Sequence, residues 1–77
     1  MLLKAQELLF SERFLWDGKY YLVHVYRSAQ PKVRGSHMAE TNLGPGDSVI
    51  SDGCSPEEAL QRQQTILPLA ILSRSLL

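Results

Sequence analysis

Cysteine is nearly absent from this sequence: Cys54 stands alone among 77 residues. One thiol makes no internal disulfide, so a cross-linked mini-scaffold is excluded. No stretch reaches about 18 consecutive apolar residues, which excludes a spanning helix. Neither charge predominates, with eight Lys and Arg against eight Asp and Glu. That balance argues against a dedicated nucleic-acid binder, which is ordinarily basic. The opening residues Met1–Phe10 lack a basic segment before their apolar positions, so they do not read as a secretory signal. Together with the free thiol, this places the expectation in the cytoplasm. No internal repeat or low-complexity tract is present.

What remains is a short chain with a high apolar share, 44%, too high for disorder. At this length one domain covering 1–77 is the most that fits, and it buries only about 60% of its unfolded surface. Charge is unevenly spread. Residues 1–34 carry six Lys and Arg against three acids, and residues 35–77 carry two Arg against five acids. Such asymmetry can draw one half toward the other, within a chain or between two, although ordinary surface scatter produces it too.

The strongest local signal is Asp17-Gly18 between aromatic and β-branched residues. It predicts a two-residue hairpin over about 12–27, because both turn positions need positive φ, which Gly takes freely and Asp tolerates. In that register Trp16 opposes Lys19, Phe14 opposes Tyr21, and Glu12 opposes Val23. One face then carries Phe14, Trp16, Tyr21, Val23 and Val25. The other carries Leu15, Tyr20, Leu22, His24 and Tyr26. A sheet with one wet face alternates polar and apolar, and this hairpin does not. Either the same chain covers both faces or a second molecule covers one.

Residues 2–10 fit a short helix or a strand. Residues 28–37 read as a polar loop, and Arg34-Gly35-Ser36-His37-Met38 also looks like the scar left by cleavage of a purification tag. Residues 38–43 predict a third strand, Gly44-Pro45-Gly46-Asp47 a turn, Ser48–Ser51 a fourth strand, and Asp52-Gly53 a second turn. Ser55-Pro56-Glu57-Glu58 is a helix start, with an N-cap, a proline at the first helical position and a capping-box glutamate. The helix is expected over about 56–67, with Ala59, Leu60, Gln63, Ile66 and Leu67 sharing roughly one side and Pro68 stopping or kinking it. The tail after Pro68 reads as a second short helix or a final strand. The expected class is α+β: a small antiparallel sheet built on the hairpin, further short strands, and a C-terminal helix.

Chemistry finds little support. Cys54 beside a helix start suggests a nucleophile, but His24 and His37 have no informative spacing to it. Cys54, His24, His37 and Asp52 do not form a recognisable metal motif. Gly44, Gly46 and Gly53 lack the Gly-Lys-Ser/Thr of a phosphate loop. Turn and cap roles account for Asp47, Asp52, Glu57 and Glu58. No catalytic residue, cofactor or metal is expected.

The stretch Gly46–Leu60, above all Ser51-Asp52-Gly53-Cys54-Ser55-Pro56-Glu57-Glu58-Ala59-Leu60, resembles part of the HicB-like antitoxin family. Tyr20–Val25 is compatible with that family's sheet. The family's proline-rich turn is missing in its usual form, the 28–37 loop is additional, and no DNA-binding region follows. The resemblance covers about a fifth of the chain. It implies a partial ribonuclease-H-like sheet without catalytic residues, self-association and a toxin partner. The residues themselves point to a non-enzymatic interaction protein, a homo-oligomer or the companion of a protein partner, with no membrane role. Its expected interface is Leu15, Tyr20, Leu22, Tyr26, Leu69, Ile71 and Leu72. The alternative is a nucleic-acid-binding module that uses Lys19, Arg27, Lys32 and Arg34 among the hairpin tyrosines.

Overall fold

The structure, a computed structural model, describes residues 6–28 and 36–76. Strands β1 (Gln6–Trp16), β2 (Lys19–Ser28), β3 (His37–Gly44) and β4 (Asp47–Gly53) form an antiparallel sheet in chain order, and helix α1 (Pro56–Ser75) follows. The architecture is α+β, and the segment before residue 10 is strand from Gln6 onward.

β1 and β2 join at Asp17-Gly18, with φ of 53° and 78°. The register is that expected from the turn: Trp16 opposes Lys19, Phe14 opposes Tyr21, and Glu12 opposes Val23. It slips once, between Leu8 and Phe10. This bulge at Leu9 returns Leu8 to the face of its new partner Tyr26, because directly opposed residues share a face. β3 and β4 turn through Gly46, at φ 69°. There the Asn42 side chain accepts the Gly44 N–H at 2.9 Å, a local bond that asparagine uses to initiate turns. Asp52-Gly53 is not a turn but the end of β4. Gly53 is required there by contact: a Cβ would stand 2.7 Å from the Ala59 nitrogen in the first turns of α1.

The start of α1 follows its sequence signals. The Ser55 side chain accepts the Glu58 N–H at 3.1 Å, and the Glu58 carboxylate accepts the Cys54 N–H at 2.6 Å. Pro68 does not end the helix, which runs on to Ser75. Proline in a helix interior costs about 3 kcal/mol. Burial of Leu67 before it, and packing of Ala70 and Ile71 after it, offset that cost at about 1.5–3 kcal/mol for each large side chain fully removed from water.

The core lies between α1 and one face of β2, β3 and β4. Val23, Val25, Ala39 and Val49 meet Ala59 and Leu67. One polar side chain crosses this layer. Gln63 is fully buried. Its amide nitrogen donates to Thr41 Oγ1 at 2.9 Å and to the Val49 carbonyl at 2.8 Å, and its oxygen accepts the Ser51 hydroxyl at 2.7 Å. Two hydrogens and an acceptor site are thus used, as burial of an amide demands. At the far end Arg74 grips Asp47 through two bonds of 3.0 and 2.8 Å, tying the end of the helix to the β3–β4 turn.

Candidate functional site

Cross-strand pairing places the opposite face of the sheet away from α1. It carries Leu8, Ser11, Arg13 and Leu15 from β1, and Tyr20, Leu22, His24 and Tyr26 from β2. Met38, Glu40 and Asn42 of β3 continue it, with Ser48, Ile50 and Asp52 of β4. Among the described residues no element covers this face. Leu15, Tyr20 and Leu22 are 55%, 61% and 52% exposed, and Leu8 and Ile50 are similarly open. Tyr26 is half-buried. The four sheet residues singled out in the sequence therefore sit together on one surface.

The electrostatics of that surface are graded. Arg13 lies toward the β1 side, its guanidinium 5.2 Å from the centre of the Tyr20 ring, in cation–π range. Glu40 and Asp52 lie toward the β3–β4 side. His24 occupies the middle, its Nδ1 hydrogen-bonded to the Ser11 hydroxyl at 2.7 Å and its cross-strand neighbour being Glu40. Ser11, His24 and Glu40 thus form a row across three strands. Beside them a cleft of about 370 Å³ opens, with Tyr20, Leu22, His24 and Asn42 on its walls.

Leu69, Ile71 and Leu72 are elsewhere. They belong to α1, on the other side of the sheet, so they do not join the sheet residues in one patch. Ile71 packs against the core, which its apolar tail context did not reveal. Leu69 and Leu72 are 67% and 56% exposed. With Trp16, Tyr21 and Pro68 they line a recess of about 400 Å³ between the tip of the β1–β2 hairpin and the second half of α1.

The basic–aromatic reading divides over two faces. Lys19 and Arg27 lie on the helix side of β2, near its two ends, while Tyr20 and Tyr26 point to the open side. Arg27 is paired with Glu7 at 2.6 Å, and Lys19 lies 5.6 Å from the centre of the Tyr21 ring. Lys32 and Arg34 fall outside the described residues, as does Gly35. Ser36 is described, and His37 and Met38 open β3.

Cys54 is exposed at the β4–α1 junction. Its N–H bond holds the Glu58 carboxyl below its ordinary pKa, aided by the charge of Arg62. His37, the cross-strand neighbour of Gly53, bonds instead to the Ser36 hydroxyl, at 2.9 Å from Nδ1. No group of three or more potential metal ligands exists among the described residues. No helix among them is long and apolar enough to cross a membrane. No family model, curated protein or solved structure matches the chain.

Proposed function

We propose that the protein is a non-enzymatic interaction module whose open sheet face pairs with the same face of a second copy. The observation that carries this reading is the exposed apolar surface of Leu15, Tyr20 and Leu22 on a sheet that no element among the described residues covers on that side. Monomeric proteins seldom leave such a contiguous patch wet. The charges select a second copy as the occupant. A two-fold axis near β2 sets the Arg13 side of one face over the Glu40 and Asp52 side of the other, so attraction and apolar contact coincide. Four strands spaced about 4.8 Å and about seven residues long offer roughly 450 Å² of projected area. That is at the small end of specific interfaces, so monomer and dimer exchange. A reducing cytoplasm suits the exposed thiol.

Sedimentation velocity over a concentration series tests the reading. The expected result is a reversible monomer–dimer equilibrium that Leu22→Glu shifts fully to monomer without loss of helical circular dichroism. Arg13→Glu weakens it, and Arg13→Glu combined with Glu40→Arg restores part of the loss. A parent chain that stays monomeric throughout overturns the proposal. So does a monomer that binds a heterologous protein through this face, the behaviour implied by the HicB-like resemblance of Ser51–Leu60.

A further inference from the structure

The ladder between β2 and β3 stops early. Its last rung is His24–Glu40, although β2 continues to Lys19 and β3 to Gly44. Both strands remain paired on their outer sides there, β2 with β1 and β3 with β4. The sheet is therefore forked. A two-stranded ribbon twists more than a wider sheet, which carries the hairpin tip away from β3. A cleft of about 370 Å³ opens between the tines, with Leu22 and Asn42 on its walls. A smaller hollow of about 180 Å³ lies toward Leu43 and Ile71, and the 400 Å³ recess adjoins α1. Lys19 and Tyr21 line all three. The Lys19 ammonium itself lies 5.6 Å from the centre of the Tyr21 ring.

Lys19 and Arg13, each resting over a tyrosine ring, differ from the other described Lys and Arg residues. Arg27, Arg62 and Arg74 each hold a carboxylate within 4 Å. Neither Arg13 nor Lys19 holds one among the described residues, and of the two only Lys19 lines the recess, which Asp17 also borders. The 400 Å³ recess has walls of exposed indole and leucine, Trp16, Leu69 and Leu72, and Lys19 lines it with them. Its volume lies in the lower range of small-molecule sites, which combine apolar walls with a few orienting polar groups.

We infer that the recess at the hairpin tip binds a small amphipathic anion, its carboxylate on Lys19 and its aliphatic body along Trp16, Leu69 and Leu72. The unmatched ammonium sets the sign of the head group, and the Asp17 carboxylate keeps that head away from the turn. The site lies on the helix side of the sheet, so it does not depend on pairing through the open face.

Trp16 is the only tryptophan and lines the recess, so its fluorescence reports occupancy directly. Decanoate, titrated below its micelle concentration, is expected to shift the emission to the blue and saturate. Decanol binds the same walls without the ionic contact. Lys19→Met weakens decanoate about fivefold, the scale of one partly exposed ion pair, and leaves decanol unchanged. Lys19→Arg restores decanoate binding. Leu72→Gln weakens both ligands, and Leu22→Glu on the open face affects neither. Absence of any saturable response by about 1 mM decanoate, an affinity near 4 kcal/mol, overturns the inference. Equal losses for both ligands in Lys19→Met overturn it, as does dependence on Leu22. Sedimentation of the same samples keeps this result separate from the oligomeric state.

Discussion

The two faces of the sheet are built from the same strands and treated oppositely. On β2, Val23 and Val25 are completely buried, while Tyr20, Leu22, His24 and Tyr26 point to the uncovered side. Directly under the helix the covered face is made of the small residues Val23, Val25, Ala39 and Val49, which let it approach closely. The open face is made of larger aromatic and aliphatic residues, which project from it. One helix of 20 residues covers one face only, and the described chain has no second layer. The lesson is that an apolar residue in a strand does not specify what buries it. Size and shape on the pleat distinguish a surface built for an internal helix from one left for another molecule.

The contrast can be broken by paired substitutions, the largest effect coming from the covered side. Leu67→Ala should cost about 2–5 kcal/mol in urea unfolding, the range for a large-to-small change in a core. Leu22→Ala, measured in dilute chain where copies are separate, should stay within about 0.5 kcal/mol. Similar losses for both would show that the open face is covered after all. Next in size is the buried amide. Gln63→Leu keeps the volume but strands the Val49 carbonyl and the Thr41 hydroxyl, and should cost about 1–3 kcal/mol. Adding Thr41→Val should recover part of that, because removing both partners of a buried bond costs less than removing one.

The smallest expected effect lies at the edges of the covered side and concerns acid. The Arg74 guanidinium, through its hydrogen bonds to Asp47, holds that carboxyl below its ordinary pKa, and the Cys54 N–H does the same for Glu58. A depressed folded-state value means that the unfolded chain binds more protons in this range. The stabilisation is therefore present at neutral pH and is lost as pH falls from about 4 through the folded values. Both side chains remain more than a third exposed, so the share is small. Asp47→Asn should lower the urea midpoint slightly at pH 7 and make the decline between pH 5 and 3 shallower than in the parent. An unchanged acid limb would show that the Asp47–Arg74 clasp contributes nothing in solution.

Much of this arrangement is readable from residue types. Asp17-Gly18 dictates a turn with two positive φ values, and the turn dictates the pairing as far as Phe10. The bulge at Leu9 is not readable, since no glycine or proline marks it. Ser55, Pro56 and Glu58 announce where α1 begins. Its end was obscured because Pro68 is a local signal, while Leu67, Ala70 and Ile71 are held by a sheet far away in sequence. The same limit explains the candidate surface. Alternation within the hairpin puts Leu15, Tyr20, Leu22 and Tyr26 on one side. It cannot place Leu69, Ile71 and Leu72 relative to them, which depends on the side of the sheet chosen by the helix. The fork between β2 and β3 was not readable, because Tyr20–Val23 are good strand formers and do not show that pairing with β3 ends at His24.

Gln63 has a consequence for how α1 is seated. A greasy helix on a greasy sheet can slide by a turn or roll by a few tens of degrees and find contacts nearly as good. An amide answering a hydroxyl on β3 and both a carbonyl and a hydroxyl on β4 acts as a key in a lock cut by two strands. Shift the helix along its axis and all three partners are orphaned together. In so small a core, this single side chain converts a permissive apolar contact into one defined docking pose.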